Sequence, residues 1–256
     1  MAEKEFFVSK KDGIATVTID RPPVNVLTIA LMEALTVELK EIEKDNEIKV
    51  VVIVGGGNKA FSAGVDVADH TAEKMGLMLS SFGELVRTLL KYDKPSIASV
   101  NGMALGGGLE LMMACDMVIA SEKSTFGQPE IKIGVYAPIA NVLLPRMIGW
   151  KNAMEILLTG DSVAADEAKN MGLVNKVVSE DKLAEETELF AKRLSSKSSE
   201  VLKWTRRSIV EALDMAWEKG LEHTDSLYLE KLMKTEDAAE GINAFMEKRK
   251  PQFKNK

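Results

Sequence analysis

The sequence predicts an α/β protein in which a strand-and-helix core is followed by an all-helical C-terminal region. Three observations carry this. Residues 50–54 (Val-Val-Val-Ile-Val) form a continuous β-branched run, the pattern of a strand buried on both faces. Elsewhere apolar residues recur at helical spacing, as in Leu31, Leu35, Leu39 and Ile42. Beyond residue 181 no strand pattern remains. These features divide the chain into a core, residues 1–195, and a helical region, residues 196–256. At 256 residues the chain is long enough to bury a large core.

In order, residues 6–9 and 14–19 read as strands joined through Lys-Lys-Asp-Gly, a hairpin signal. Arg21-Pro22-Pro23 ends the second strand, because proline removes a ladder donor. A helix is expected over 28–45, a strand over 50–54 and a loop over 58–66. The next helix, 71–90, carries Met75, Met78, Leu79, Phe82, Leu85, Val86 and Leu89 on one side. Residues 94–130 then organise the chain, with a strand at 96–100, the triplet Gly106-Gly107-Gly108, a helix starting near Gly107 and a strand at 117–120. Residues 134–148 are helical in their second half and 151–158 form a helix. Ser162 is expected to cap a further helix that stops at Gly172. A last strand candidate spans 173–178. Helical patterns cover 181–195, 199–217, 223–233 and 237–248. A loose strand–strand–helix recurrence runs through the core.

Composition narrows the function classes. Lys and Arg total 33 against 39 Asp and Glu, a net charge of −6. This gives no electrostatic footprint for nucleic acid. One cysteine, Cys115, excludes an internal disulfide and reads as a small buried apolar residue in a reducing compartment. No basic-then-apolar leader opens the chain and no apolar run reaches membrane-helix length. The expectation is a cytoplasmic protein without a membrane partner. His70 and His223 are the only histidines, which argues against a multi-histidine metal site and against a conventional Ser-His-Asp triad.

The chemistry-bearing residues cluster in 61–66 and 106–130. Phe61-Ser62-Ala63-Gly64-Val65 and the glycine triplet each follow a strand and can present backbone N–H groups at its end. Two N–H groups aimed at one carbonyl oxygen form an oxyanion hole. Glu110 sits in the first turn of an otherwise apolar helix, where a carboxylate is costly unless partnered or used. Glu130 follows twenty residues later. Taken alone it reads as a surface loop residue, and the methionines of 71–90 as core packing or an adaptable pocket wall. Two carboxyl groups beside a polarised carbonyl suit enolate chemistry, one activating water and the other moving a proton to or from carbon. Neither glycine cluster matches a dinucleotide fingerprint or P-loop.

The segments KPSIASVNGMALGGGLELMMACD, FGQPEIKIG and AFSAGVD, with LTGDSVAADEAKNMGLVNKVV and GINAFMEKRKPQF, resemble the crotonase (enoyl-CoA hydratase/isomerase) superfamily over essentially the whole chain. The resemblance implies a spiral of ββα units with a C-terminal helical trimerisation region, and a homo-trimer or homo-hexamer. It implies an acyl-CoA thioester substrate, with coenzyme A part of that substrate, no other cofactor and no metal. Carried over by position, the backbone N–H groups of Val65 and Gly107 form the oxyanion hole. Glu110 activates water and Glu130 exchanges a proton with the α-carbon. Ala63, Asp66, Val67 and Ala68 contact CoA, and Phe245 and Lys248 reach the CoA of a neighbouring subunit. His70, Met75, Tyr136 and Pro138 are expected in the pocket wall.

Because both carboxylates are present, a hydratase is favoured over an isomerase needing only the Glu130 position. Two departures bear on the acyl group. Where common hydratases carry G-x-x-P-G-x-G-G-T, this chain has Gly134-Val135-Tyr136-Ala137-Pro138-Ile139-Ala140-Asn141, and Val65 stands in place of alanine. With His70, these segments look similar to hydratases of cyclic dienoyl-CoA, which implies cyclohexa-1,5-diene-1-carbonyl-CoA in anaerobic aromatic degradation. The alternatives are a short-chain 2-enoyl-CoA hydratase of fatty-acid metabolism, an enoyl-CoA isomerase, a thioester hydrolase, and a CoA- or RNA-binding relative without catalysis.

Overall fold

The computed structural model describes residues 5–256. Its core is built from successive units of two strands and a helix. The first comprises Phe6–Lys11 (β1), Ile14–Ile19 (β2) and Ile29–Lys44 (α1). Here β1 and β2 pair antiparallel around Asp12-Gly13, both at positive φ, the conformation a tight hairpin requires. Thr28 caps α1 by accepting from the Leu31 N–H at 3.2 Å. The second unit is Val50–Gly55 (β3), Ala60–Ser62 (β4) and Met75–Leu90 (α2). The third is Ser96–Val100 (β5), Met103–Leu105 (β6) and Gly107–Met113 (α3). The fourth is Met117–Ser121 (β7), Thr125–Gly127 (β8) and, after a 3-10 turn at Pro129–Ile133, Ala140–Ile148 (α4). Trp150–Thr159 (α5), Ser162–Ala164 (β9), Ala165–Asn170 (α6), Lys176–Val178 (β10) and Leu183–Ser195 (α7) complete the core.

From β3 to β8, the first strand of each unit enters one sheet and the second strand another. The six-stranded sheet has the order β1-β2-β3-β5-β7-β10 and is parallel apart from the β1–β2 hairpin. The four-stranded sheet has the order β4-β6-β8-β9, with β4, β6 and β8 parallel and β9 antiparallel. This is the mixed α/β spiral the resemblance implied.

The β-branched run of β3 is explained by what covers it. Val51 and Ile53 pack into the main core with α1 and α2, while Val50 and Val52 pack with Ile97, Ile119, Leu183 and Ala191 beneath α7. Burying each such side chain contributes roughly 1.5–3 kcal/mol. The fully buried Tyr92 fills the end of this core and donates its hydroxyl to the Leu39 carbonyl at 2.6 Å.

Several expected boundaries differ. The 58–66 loop contains β4, and β6, β8 and β9 also lay outside the sequence reading, because three residues are too few to show alternation. Ser162 does not cap a helix: it lies in β9, and α6 begins at Ala165 without a side-chain cap. Helix 71–90 starts at Met75. The helix expected over 199–217 ends at Ala212 (Ser199–Ala212, α8), the one expected over 223–233 starts earlier and spans Trp217–Glu230 (α9), and Glu236–Met246 (α10) follows.

The helical region is tied to the core by Arg206. Its Nε lies 2.9 Å from both Asp116 carboxylate oxygens. Its terminal nitrogens donate to the carbonyls of Leu89 (2.9 Å), Leu90 (3.2 Å) and Tyr92 at the end of α2. The guanidinium therefore supplies donors to the carbonyls at the C-terminal end of α2. Among the described residues no helix is long and apolar enough to cross a membrane.

Candidate active site

A cleft of about 500 Å³ opens where β4, β6 and β8 end. Three parallel strands thus deliver three chain segments to one place: Ala63-Gly64-Val65 after β4, Gly106-Gly107 after β6, and Pro129-Glu130 after β8. The rest of the wall is mostly apolar: Met75, Met78, Leu79 and Phe82 of α2, and Ile133 to Pro138 opposite. The methionine-bearing face of α2 does both jobs considered for it. Met78 and Phe82 are buried in the core and also line the cleft, whereas Leu79 is exposed on it.

Two backbone donors are available. Val65 forms a parallel bridge with Leu27, but the ladder bonds run from the Leu27 N–H to the Gly64 carbonyl (2.8 Å) and from the Asp66 N–H to the Leu27 carbonyl (2.9 Å). The Val65 N–H is left out. Gly107 is the first residue of α3, so its N–H has no intrahelical acceptor. The two segments touch: a Cβ on Gly107 would lie 3.2 Å from the Val65 nitrogen and 2.8 Å from Val65 Cγ2.

The glycine triplet is needed mainly for packing against protein rather than for an approaching ligand. Gly106 has φ +54°, and a Cβ there would stand 2.6 Å from Glu130 Oε1. A Cβ on Gly108 would lie 2.2 Å from the Ser62 carbonyl oxygen, an impossible contact with backbone. Gly106 thus lets Glu130 lie against the start of α3, and Gly108 lets α3 sit down on β4.

Glu110 is 3 % exposed. Its Oε1 accepts from the N–H groups of Ile139 (3.0 Å) and Ala140 (2.8 Å), the unpaired donors at the start of α4. Oε2 has no protein donor, and Glu110 lines the cleft. Burial pushes the carboxyl up to about 7, against the two N–H bonds, and the charge of Glu130 adds to the rise. Glu130, half-buried, is also raised, again chiefly by burial. Gln128, 1 % exposed, stands beside it. Satisfying both groups orients the Gln128 amide nitrogen towards Glu130, 3.1 and 2.9 Å from its two oxygens. The sequence reading quoted Gln128 without giving it a role; its one signal was an amide two residues before a candidate acid.

The cleft brings together Ala63, Val65, Val67, His70, Met75, Gly107, Glu110, Glu130, Tyr136 and Pro138. Four expected residues are elsewhere. Asp66 caps the turn beneath the cleft, accepting from the Ala68 N–H at 3.0 Å and pairing with Arg21 at 3.4 Å, and Ala68 is exposed on that turn. Phe245, 84 % exposed, and Lys248 lie at the end of α10, away from the cleft of their own chain.

Paired carboxyls, two unbonded N–H groups and an apolar wall thus meet in one cleft on a ββα spiral. The family model for enoyl-CoA hydratase/isomerase matches residues 9–256, and the chain belongs to that family. It is 34% identical over 258 residues to the short-chain-enoyl-CoA hydratase of Clostridium acetobutylicum, covering 97% of each chain. It is 35% identical over 261 residues to the mitochondrial enoyl-CoA hydratase of Pongo abelii, covering 99% of this chain and 89% of that one. The crystal structure of a Bacillus anthracis enoyl-CoA hydratase superposes with a TM-score of 0.95 at 31% identity, over 99% of this chain and 100% of that one. The protein is an enzyme of the enoyl-CoA hydratase type, a hydro-lyase.

Proposed function

We propose that the cleft adds water across a conjugated C=C of an acyl-CoA thioester, with roles divided among Val65, Gly107, Glu110 and Glu130. The observation that carries this is the pairing of a buried carboxyl poised near neutral pH with a second carboxyl beside two unused N–H donors. The thioester oxygen binds at the N–H groups of Val65 and Gly107, which polarises the conjugated alkene. Glu110 takes a proton from water as its oxygen bonds to the distal carbon. Negative charge gathers on the thioester oxygen as an enolate, and Glu130 gives its proton to the α-carbon. The proton acquired by Glu110 returns to Glu130 before the next turnover, so the enzyme is restored and one water is consumed. Gln128, donating to Glu130, stabilises the carboxylate left after proton transfer.

For the acyl group we infer a cyclic diene, cyclohexa-1,5-diene-1-carbonyl-CoA. The supporting feature is the wall formed by Val135, Tyr136 and Pro138 in place of a glycine pair, whose bulkier side chains reshape the acyl end of the cleft. Exposed Trp217, Leu229, Phe245 and Met246 in the helical region support assembly into trimers or hexamers, with Phe245 and Lys248 reaching a neighbour's CoA. Ala63 and Val67 line the cleft for the CoA chain, and a cytoplasmic setting goes with this reading. The test is to incubate purified protein with crotonyl-CoA and, separately, with the cyclic dienoyl-CoA, and to identify products by mass. Water gain on the ring with little on crotonyl-CoA supports the cyclic substrate; turnover confined to the linear thioester overturns it.

A further inference from the structure

Water addition asks Val65 and Gly107 to hold their N–H groups on one oxygen, yet the two donors are fixed in different ways. The Gly107 N–H belongs to a peptide whose carbonyl, that of Gly106, accepts from the Glu110 N–H at 3.0 Å, so α3 itself holds it. The Val65 N–H follows β4 and is held from outside. The carbonyl of its peptide, that of Gly64, accepts from the Leu27 N–H at 2.8 Å. In a trans peptide the N–H points opposite to the carbonyl, so this bond turns the Val65 N–H away from Leu27. The same strap, residues 24–27, takes the neighbouring donors. The Ala63 N–H gives to the Val24 carbonyl and the Asp66 N–H to the Leu27 carbonyl, both at 2.9 Å. The Gly64 N–H gives to Ser62 Oγ at 3.2 Å. Of the N–H groups from Ala63 to Asp66, only that of Val65 has no acceptor among the described residues.

We propose that Asn25 is a positioning residue for the oxyanion hole: its buried amide fixes the 24–27 strap, and the strap aims the Val65 N–H. Asn25 is 1 % exposed and does not line the cleft. Its Nδ2 donates to the carbonyls of Gly56 (3.0 Å) and Ala60 (2.8 Å), and its Oδ1 accepts from the Arg21 N–H (3.0 Å). Both amide hydrogens and the acceptor oxygen are thereby used. Gly56 and Ala60 bracket the turn from β3 into β4, so one side chain sets the place of the strap against the strand that delivers Val65. Asn25 holds φ +53°, a left-handed conformation that asparagine tolerates better than most side chains. This role rests on the hydratase reading of the cleft. It gives Asn25 an effect on the thioester oxygen without contact: amide to strap, and strap to the peptide that carries the donor.

The test variant is Asn25→Gly, which permits the same positive φ and removes only the side-chain amide. The probe is cinnamoyl-CoA carrying a para-dimethylamino group, whose absorption moves to longer wavelength when its thioester oxygen accepts hydrogen bonds. The unaltered protein is expected to induce this red shift, and Asn25→Gly roughly half of it or less. In the same variant kcat for hydration is expected to fall about 10- to 100-fold, with KM changed by less than about threefold. A merely structural role lowers the thermal midpoint but leaves the shift and the kcat of the folded protein unchanged, and that result overturns the proposal. So does the absence of any red shift in the unaltered protein. Should Asn25→Gly not fold, an ester in place of the Val26–Leu27 amide removes the Leu27 N–H alone. A weakened shift is then expected, and a full one overturns the proposal. If the red shift appears but no enoyl-CoA is hydrated, the hydratase reading fails while the shifts still decide the role of Asn25.

Discussion

The core and the helical region are held together by different physics. From β2 to β8 most strand residues are buried, and the cleft is positioned by backbone: strand ends, two glycines without room for a Cβ, and the N–H groups that start α4. Beyond residue 198 the buried residues are few, among them Arg206, Gly220, Asp237 and Ala244, while Leu213, Trp217, Leu229 and Phe245 are exposed. There the attachments are polar. Arg206 binds Asp116 and three carbonyls, and Asp237 accepts from the Lys254 and Asn255 N–H groups at 2.7 and 2.8 Å. A precise cleft thus needs close backbone contacts fixed by a dry core, whereas the helices are latched at a few points and present apolar surface outward.

Changes in the cleft should therefore strike chemistry, and changes at the latch should strike attachment. The largest effect is expected for Glu110→Gln, which keeps the acceptor for Ile139 and Ala140 but removes the base. Hydration should fall about 10²- to 10⁴-fold while the thioester still binds; a loss under threefold would contradict the role given to Glu110. Next is Arg206→Met, which removes the guanidinium donors from the buried carbonyls of Leu89 and Tyr92 at the end of α2. Leaving such buried acceptors without donors costs about 1–3 kcal/mol each. Hydrogen exchange should quicken across residues 199–256 well before β3 or β5, and uniform exchange would erase the contrast between the regions.

A smaller effect separates stability from function within the cleft. Folding raises the Glu110 carboxyl from 4.5 to about 7. Its contribution is fully present below the unfolded value and is lost as pH rises through about 7. Glu110→Gln should therefore be more stable than the unaltered protein at pH 8, by of the order of 2–3 kcal/mol, with the gain vanishing at pH 4. Urea unfolding at the two pH values measures it, and equal differences at both would show that burial is not what shifts this carboxyl. The last is Gly108→Ala, where the methyl meets the Ser62 carbonyl. Overpacking of this kind costs about 1–3 kcal/mol, and a thermal midpoint within a degree of the original would refute the close approach.

Much of this was legible in the sequence because it is written in local pattern. The β-branched run announced β3, the 3.6-residue spacing announced α1 and α2, and the lone carboxylate among apolar residues marked Glu110. What escaped was non-local. β4, β6 and β8 hold their place through neighbours in a second sheet, with three residues each and no period to read. The reason for Gly106 and Gly108 lies in Glu130 and Ser62, far along the chain. The boundary between α8 and α9 fell earlier than the pattern placed it, because apolar residues, Leu213, Met215 and Trp217, continue through the turn on a surface that stays exposed. The cleft gathers Val65, Gly107, Glu110 and Glu130 from separate segments, yet the N–H groups that hold Glu110 come from the start of α4, which no spacing rule connects to α3.

The most direct test of the central claim compares the unaltered protein, Glu110→Gln and Glu130→Gln on one enoyl-CoA, with products followed by mass and free thiol assayed alongside. The division of labour proposed here predicts a gain of one water by the unaltered protein, loss of that gain in both variants, and an intact thioester throughout. Release of free coenzyme A, or full hydration by either variant, would contradict it.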